Sequence, residues 1–359
     1  MRLRWKILLG ATAALTILVA TPVFYIETQC RASLSGISPA APYRSLLAGP
    51  ADRRPEARTW LTYPEWYIVY SAESFARYLR SGPPSGFGYG RNIAGFWTGY
   101  CALNRASAGS QAAGDAKVMI YTIGISYSVE LAVKAGYENT IGRLSEWVSG
   151  WHSADDQYAA DVQARYGAFM HETPWYAFPF GEALKGEWQT SERHQRVRHW
   201  ERRGALSLEY GMKAVYAKLI GWASGKTLGQ DERLIRMVVR AKPAMVRAVD
   251  HRLGIVRSLP DGLLVVEAPR YAQFTELLGE LAGSPVTLVE IAGNDDILVT
   301  ALMPTKAQAP AGTIPILHVA LDDRPGWQRV GLAVKVRSLL PVMRDLARRG
   351  DRIEHVYDY

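Results

Sequence analysis

Residues Ile7 to Ile26 run for twenty positions without a charged side chain. A helix needs about 20 apolar residues to cross the hydrocarbon core of a bilayer, so this stretch predicts a transmembrane helix. Arg2, Arg4 and Lys6 stand immediately before it. Cations flanking a span stay on the cytoplasmic side. Residues 1–6 are therefore expected inside and everything after Glu27 outside. This is a single-pass signal-anchor protein of the inner (cytoplasmic) membrane, its bulk periplasmic or extracellular. A cleaved signal peptide fits less well, because its apolar region is typically about 7–15 residues long. The small-residue stretch Val19-Ala20-Thr21 is also followed directly by Pro22. Cys30 follows Glu27, Thr28 and Gln29, which do not make a lipobox.

No other segment reads as a span. Val118 to Val129 is apolar for twelve residues before Glu130, and Ala205 to Ala223 carries Glu209, Lys213 and Lys218. Both are expected as core or interfacial helices. In the second, Leu208, Met212, Val215, Leu219 and Trp222 share one helical face. That spacing predicts an apolar side against the core, with Glu209 and Lys213 as an i, i+4 pair on the polar side.

With 48% hydrophobic and 21% charged residues, the remainder has the composition of a globular body. The net charge is +8, and Arg2, Arg4 and Lys6 carry three of those charges. The rest is spread thinly, which fits a surface near anionic lipid and excludes a nucleic-acid groove, where charge is clustered.

The expected fold class is α+β. Residues 7–26 form the anchor and 27–58, rich in Pro, Ala and Ser, a tether. Residues 59–229 are a mainly helical, aromatic-rich domain, and Ser153 caps one of its helices. After residue 230 the periodicity changes to alternation. The order β-α-β-β-(β)-α-β across 230–359 predicts a ferredoxin-like sandwich with an added strand. Gly293-Asn294-Asp295 reads as a hairpin joining Val286–Ile291 to Ile297–Met303.

Few residues point to chemistry. Glu130, Glu138, His171 and Glu172 are the weak catalytic candidates. Glu130 or Glu138 facing inward among aromatic rings would be a carboxyl with a raised pKa; the bland alternative is surface charge and capping. The chain has no Glu-x-x-His pair of the kind that builds di-iron bundles, and His171-Glu172 lacks the second histidine of a zinc protease. No cofactor or metal is expected. Arg193, Arg196, Arg198, Arg202 and Arg203 cluster around His194 and His199. They read as a solvated helical face or as a contact with lipid headgroups. In an oxidising compartment Cys30 and Cys101 can form a disulfide; otherwise both remain free. The functional expectation is a membrane-anchored body that binds a partner protein or a small apolar ligand. The alternatives are an envelope enzyme with acid/base carboxylates in the helical domain, or a structural subunit of a membrane complex.

Overall fold

A computed structural model describes residues 2–30, 43–49, 52–53, 62–107, 112–224 and 234–357. Of the expected tether, residues 31–42, 50–51 and 54–58 lie outside the described residues. The chain divides into two compact units. One comprises Met1–Val19, Glu65–Phe96 and Ile123–Thr227; the other comprises Ala20–Pro64, Trp97–Thr122 and Leu228–Tyr359. The chain's last third, from Leu228, thus shares a unit with two earlier segments.

The first unit is helical. Helix α1 spans Arg2–Gln29, α2 Tyr63–Tyr78, α3 Tyr89–Ala106 and α4 Ala112–Tyr137. A π-helical turn, Glu138–Gly142, links α4 to α5 (Arg143–Ser149), and α6 (Ala154–Phe169), α7 (Phe180–Glu187) and α8 (Arg196–Ser224) follow. Ser153 does cap α6: its hydroxyl accepts from the Asp156 amide while the Asp156 carboxylate accepts from the Ser153 amide. This reciprocal box satisfies two otherwise orphan donors. The aromatic stretch after Pro174 is part of the core, with Phe178 and Phe180 buried against Val162, Leu206 and Tyr210.

Helix α8 is turned opposite to the expectation. Leu208, Met212, Val215 and Leu219 are 58 to 64% exposed. The polar side of the same helix faces inward, where Arg198, Arg202 and Tyr210 are buried. Glu209 and Lys213 meet Lys134 and Glu130 of α4 there. The Trp222 side chain lies outside the described residues. Helix α4 follows the same rule, with Val133 exposed and Lys134 turned inward.

The second unit joins the C-terminal end of α1 to α3 and α4. A disulfide links Cys30 to Cys101, and the Asn104 amide donates to the Cys30 carbonyl at 2.7 Å. Lys117 and Tyr121, at the start of α4, reach Glu27 at 3.0 and 2.6 Å.

Its α+β part holds two four-stranded antiparallel sheets where the sequence suggests one. The first comprises β1 (Leu234–Arg240), β2 (Gly254–Leu259), β3 (Leu263–Pro269) and β4 (Thr287–Ile291), in the order β2-β3-β1-β4. Helices α9 (Pro243–Val249) and α10 (Ala272–Ala282) complete it. The second comprises β5 (Asp296–Pro304), β6 (Thr313–Ala320), β7 (Trp327–Lys335) and β8 (Arg352–Val356), in the order β6-β7-β5-β8 with α11 (Val336–Arg348). The two orders are equivalent strand for strand. Phe274, Leu277, Leu278 and Leu281 of α10 recur 65 positions later as Leu339, Val342, Met343 and Leu346 of α11 (339 against 274), and all eight are buried. One supersecondary unit thus occurs twice, with a loop in the second copy where α9 stands in the first, and the two copies share one core.

The expected hairpin is corrected accordingly. β4 and β5 belong to different sheets. Ala292 and Gly293 both have positive φ (49° and 88°) and make a tight turn in which Ile291 and Asn294 exchange backbone hydrogen bonds at 3.0 and 2.8 Å, but the pairing stops at that bridge and the strands part into separate sheets. β2 and β7 are absent from the sequence reading: β2 is an exposed edge strand without alternation, and β7 is buried almost continuously, so it does not alternate either.

Candidate functional site

The strongest concentration of charge lies inside the helical unit, where α4, the π turn, α6 and α8 meet. A π turn inserts one residue into a helix, a feature frequent at functional sites. Here it carries Glu138 and Gly142. A Cβ on Gly142 would stand 2.4 Å from Glu138 Oε2, so glycine at that position leaves the carboxylate its room.

Arg202 grips that carboxylate with both terminal nitrogens, at 2.9 and 3.0 Å. It also donates to Glu201 at 2.5 and 2.9 Å. Glu201 accepts the Tyr137 hydroxyl at 2.7 Å and Arg198 at 3.0 Å. Arg198, fully buried, continues to Asp156 at 2.6 Å. Along the same interface Lys134 meets Glu209 at 2.8 Å, and Lys213 meets Glu209 at 3.1 Å and Glu130 at 2.8 Å. Buried charges cost several kcal/mol each unless paired, and these are paired throughout. The cleft beside them is narrow, about 30 Å³, and Phe75, Lys134, Glu138, Trp151, Arg202 and Glu209 contribute to its lining. That volume admits one or two water molecules.

A second cluster sits beside the first. His199 Nδ1 lies 2.6 Å from Asp155 Oδ2, and the Thr190 hydroxyl donates to Asp155 Oδ1 at 2.6 Å. Arg203 donates to the Thr190 carbonyl at 2.8 Å and stacks between the Trp188 and Trp200 rings at 5.0 and 5.5 Å. Glu187 is buried there, and neither of its carboxylate oxygens has a hydrogen-bond partner among the described residues. Burial, and then the Asp155 carboxylate beside it, pushes the Glu187 carboxyl up to about 8. These residues come from α6, α7, α8 and the α7–α8 loop, and no local motif joins them.

The sequence-derived candidates are scattered. Glu138 lines the cleft, whereas Glu130 is half exposed and pairs with Lys213. His171 Nε2 lies 2.7 Å from Glu73, with its ring beside Trp66 and Tyr70. Glu172 is exposed. Glu130, Glu138 and His171 therefore do not converge. Arg193 and Arg196 are exposed, but Arg198, Arg202 and Arg203 are buried and occupied by internal acceptors. Those three are not available to a headgroup. Among the described residues no group of three or more His, Cys, Asp or Glu is placed to hold a metal ion.

No family model, no curated protein and no solved structure matches the chain.

Proposed function

We propose that this chain is a membrane-anchored envelope protein that works by binding rather than by catalysis. α1 is its anchor, with the N-terminus cytoplasmic. The disulfide-bearing segments and the C-terminal α+β domain are extracytoplasmic. The first half of that domain has the β-α-β-β-α-β succession of a ferredoxin-like unit, and many unrelated functions use that scaffold.

The observation that carries the binding reading is the distribution of side chains in the helical unit. Its charges neutralise one another around a narrow cleft, while its apolar side chains face outward on α8. A broad exposed apolar surface marks a site of interaction with a membrane or another protein. The Cys30–Cys101 disulfide supports the placement, because disulfides persist in oxidising compartments.

Thiol trapping tests it. Cells are acid-quenched, and the full chain is alkylated with a maleimide before and after reduction. Membranes are washed in parallel with alkaline carbonate. The chain is expected in the washed pellet, with both thiols blocked until reduction. Free thiols at the quench, or release by carbonate, would overturn the reading.

An envelope enzyme is the second reading, and one observation favours it. The Glu187 carboxyl, held near neutral pH beside Asp155 and His199, has the character of a general acid. It does not line the described cleft.

A further inference from the structure

We infer that α4 and α8 also cross the bilayer, as an antiparallel pair, and that lipid covers their outward apolar faces. This deepens the reading of α1 as an anchor and rests on it.

Helix α4 supplies the first observation. Lys117–Ser149 is long and apolar enough to cross a membrane, yet only 28% of its most apolar window is buried. Its outward side is apolar, while Glu130, Lys134 and Glu138 pair with α8 on the inward side, the arrangement of a helix in a membrane bundle. The core of this unit does not cover it, as the exposure of Val133, Ile141, Leu144 and Val148 shows.

Helix α8 supplies the second. Its exposed apolar side chains, from Val197 to Leu219 with Lys218 exposed beside the last, extend about 33 Å at 1.5 Å per residue, close to the roughly 30 Å of a bilayer core, although among the described residues only Lys117–Ser149 qualifies as a span by length and composition alone. Ion pairs on the opposite face bind it to α4 in antiparallel register: Arg202 with Glu138, Glu209 with Lys134, Lys213 with Glu130. Polar inside and apolar outside is the order expected when the solvent is lipid, where charged groups face the bundle interior and pair.

Three hydroxyls along Lys117–Ser149 are satisfied without water. The hydroxyls of Thr122, Ser128 and Thr140 each donate to the carbonyl four residues earlier, at 2.8, 2.7 and 2.7 Å. Tryptophans mark one end of the pair. Trp147 near the end of α5, Trp200 near the start of α8 and Trp188 are 84, 62 and 56% exposed. Indoles collect at the level of lipid headgroups.

The order of crossings is consistent. α4 begins beside the outer end of α1, where Lys117 and Tyr121 meet Glu27. From there the segment of α2 and α3 reaches inward and back, its Glu73 meeting His171 and its Ser85 amide donating to Glu146; α4 then returns inward and α8 leads out again. Three crossings place the α+β domain on the side of the disulfide. The match to bilayer thickness assigns the face to lipid and not to a partner protein, as do Ile17 and Phe24 of α1, which are exposed as well.

Spin labels on the full chain test this, with the native disulfide intact. Val133→Cys, Met212→Cys, Val215→Cys and, in α1, Ile17→Cys are labelled singly and reconstituted in phosphatidylcholine–phosphatidylglycerol vesicles. Collision with dissolved oxygen is compared with collision with a water-soluble nickel chelate. Oxygen should dominate at all four positions. Nickel dominating at positions 133, 212 and 215, with oxygen dominating at 17, would remove the two crossings and leave the anchor standing. Nickel dominating everywhere would remove both. Low collision with both reagents at positions 212 and 215 would mean that protein, such as a second copy, covers the face, and would overturn the lipid assignment.

Discussion

Arg202 Nη1 and Nη2 hold the two oxygens of Glu138 at 2.9 and 3.0 Å, a bidentate pair formed across α8 and the π turn. Both side chains are more than nine-tenths buried. Removing Arg202 leaves the Glu138 charge buried and unpaired, which costs about 3–5 kcal/mol; removing Glu138 costs less, because Arg202 keeps Glu201. Glu138→Gln and Arg202→Met should each lower the thermal midpoint in detergent. The double variant should lose less than the two losses added together. Strict additivity would show that the two side chains are not coupled.

Glu187 makes stability depend on pH. Above its ordinary value of 4.5 the unfolded chain releases this proton, while the folded chain keeps it up to about 8. The folded state therefore binds more protons across that window, and stability falls as pH rises through it. Glu187→Gln should flatten the profile and gain roughly 2–4 kcal/mol at pH 8. Denaturant melts at pH 5 and pH 8 give the comparison. An unchanged slope would show that Glu187 ionises freely.

The disulfide closes a loop with a sequence separation of 71. A cross-link of this kind adds about 2–5 kcal/mol in small domains, chiefly by restricting the unfolded chain. Cys101→Ser should lower the melting temperature, and a reducing agent should lower the wild type to the same value and leave the variant unchanged. Equal melting with and without reductant in the wild type would contradict this.

Glu290 is the clasp for the segment before α2. It accepts from the Tyr43 hydroxyl at 2.9 Å, the Ser45 hydroxyl at 2.5 Å and the Leu46 amide at 2.8 Å. It also raises the Tyr43 phenol above its ordinary value, second to burial itself. Leu47 then packs on Val238, Val265 and Val289 of the first sheet. Glu290→Ala leaves those donors unsatisfied, at about 1–3 kcal/mol each where buried. The Leu46 and Leu47 amides should lose protection from hydrogen exchange. Retained protection would show that Leu47 packing alone holds the segment.

Periodicity in the sequence revealed the helix that became α8 and the stripe Leu208, Met212, Val215 and Leu219. It did not reveal which way the stripe faces. Spacing separates apolar from polar sides, but the solvent decides which side turns in. The assumption of water placed Glu209 and Lys213 outside, whereas they are the inner rungs of an ion ladder. The same assumption sent Arg198, Arg202 and Arg203 to the surface. The Asp155, Glu187 and His199 cluster was illegible for another reason, since its members stand on three different helices. In the α+β domain six of the eight strands were legible; the exposed edge β2 and the buried β7, neither of which alternates, were not. The turn at Gly293 is a true tight turn, but local sequence could not show that its two strands continue into different sheets.

Cysteine accessibility in intact spheroplasts tests the central claim most directly. Glu172 and Arg352 are both exposed, and Glu172→Cys and Arg352→Cys can each be probed with a membrane-impermeant maleimide. Three crossings predict that Arg352→Cys reacts in intact spheroplasts and Glu172→Cys only after the membrane is opened. Reaction of both in intact spheroplasts would contradict the crossing of α4 and α8, and reaction of neither would contradict the anchor as well.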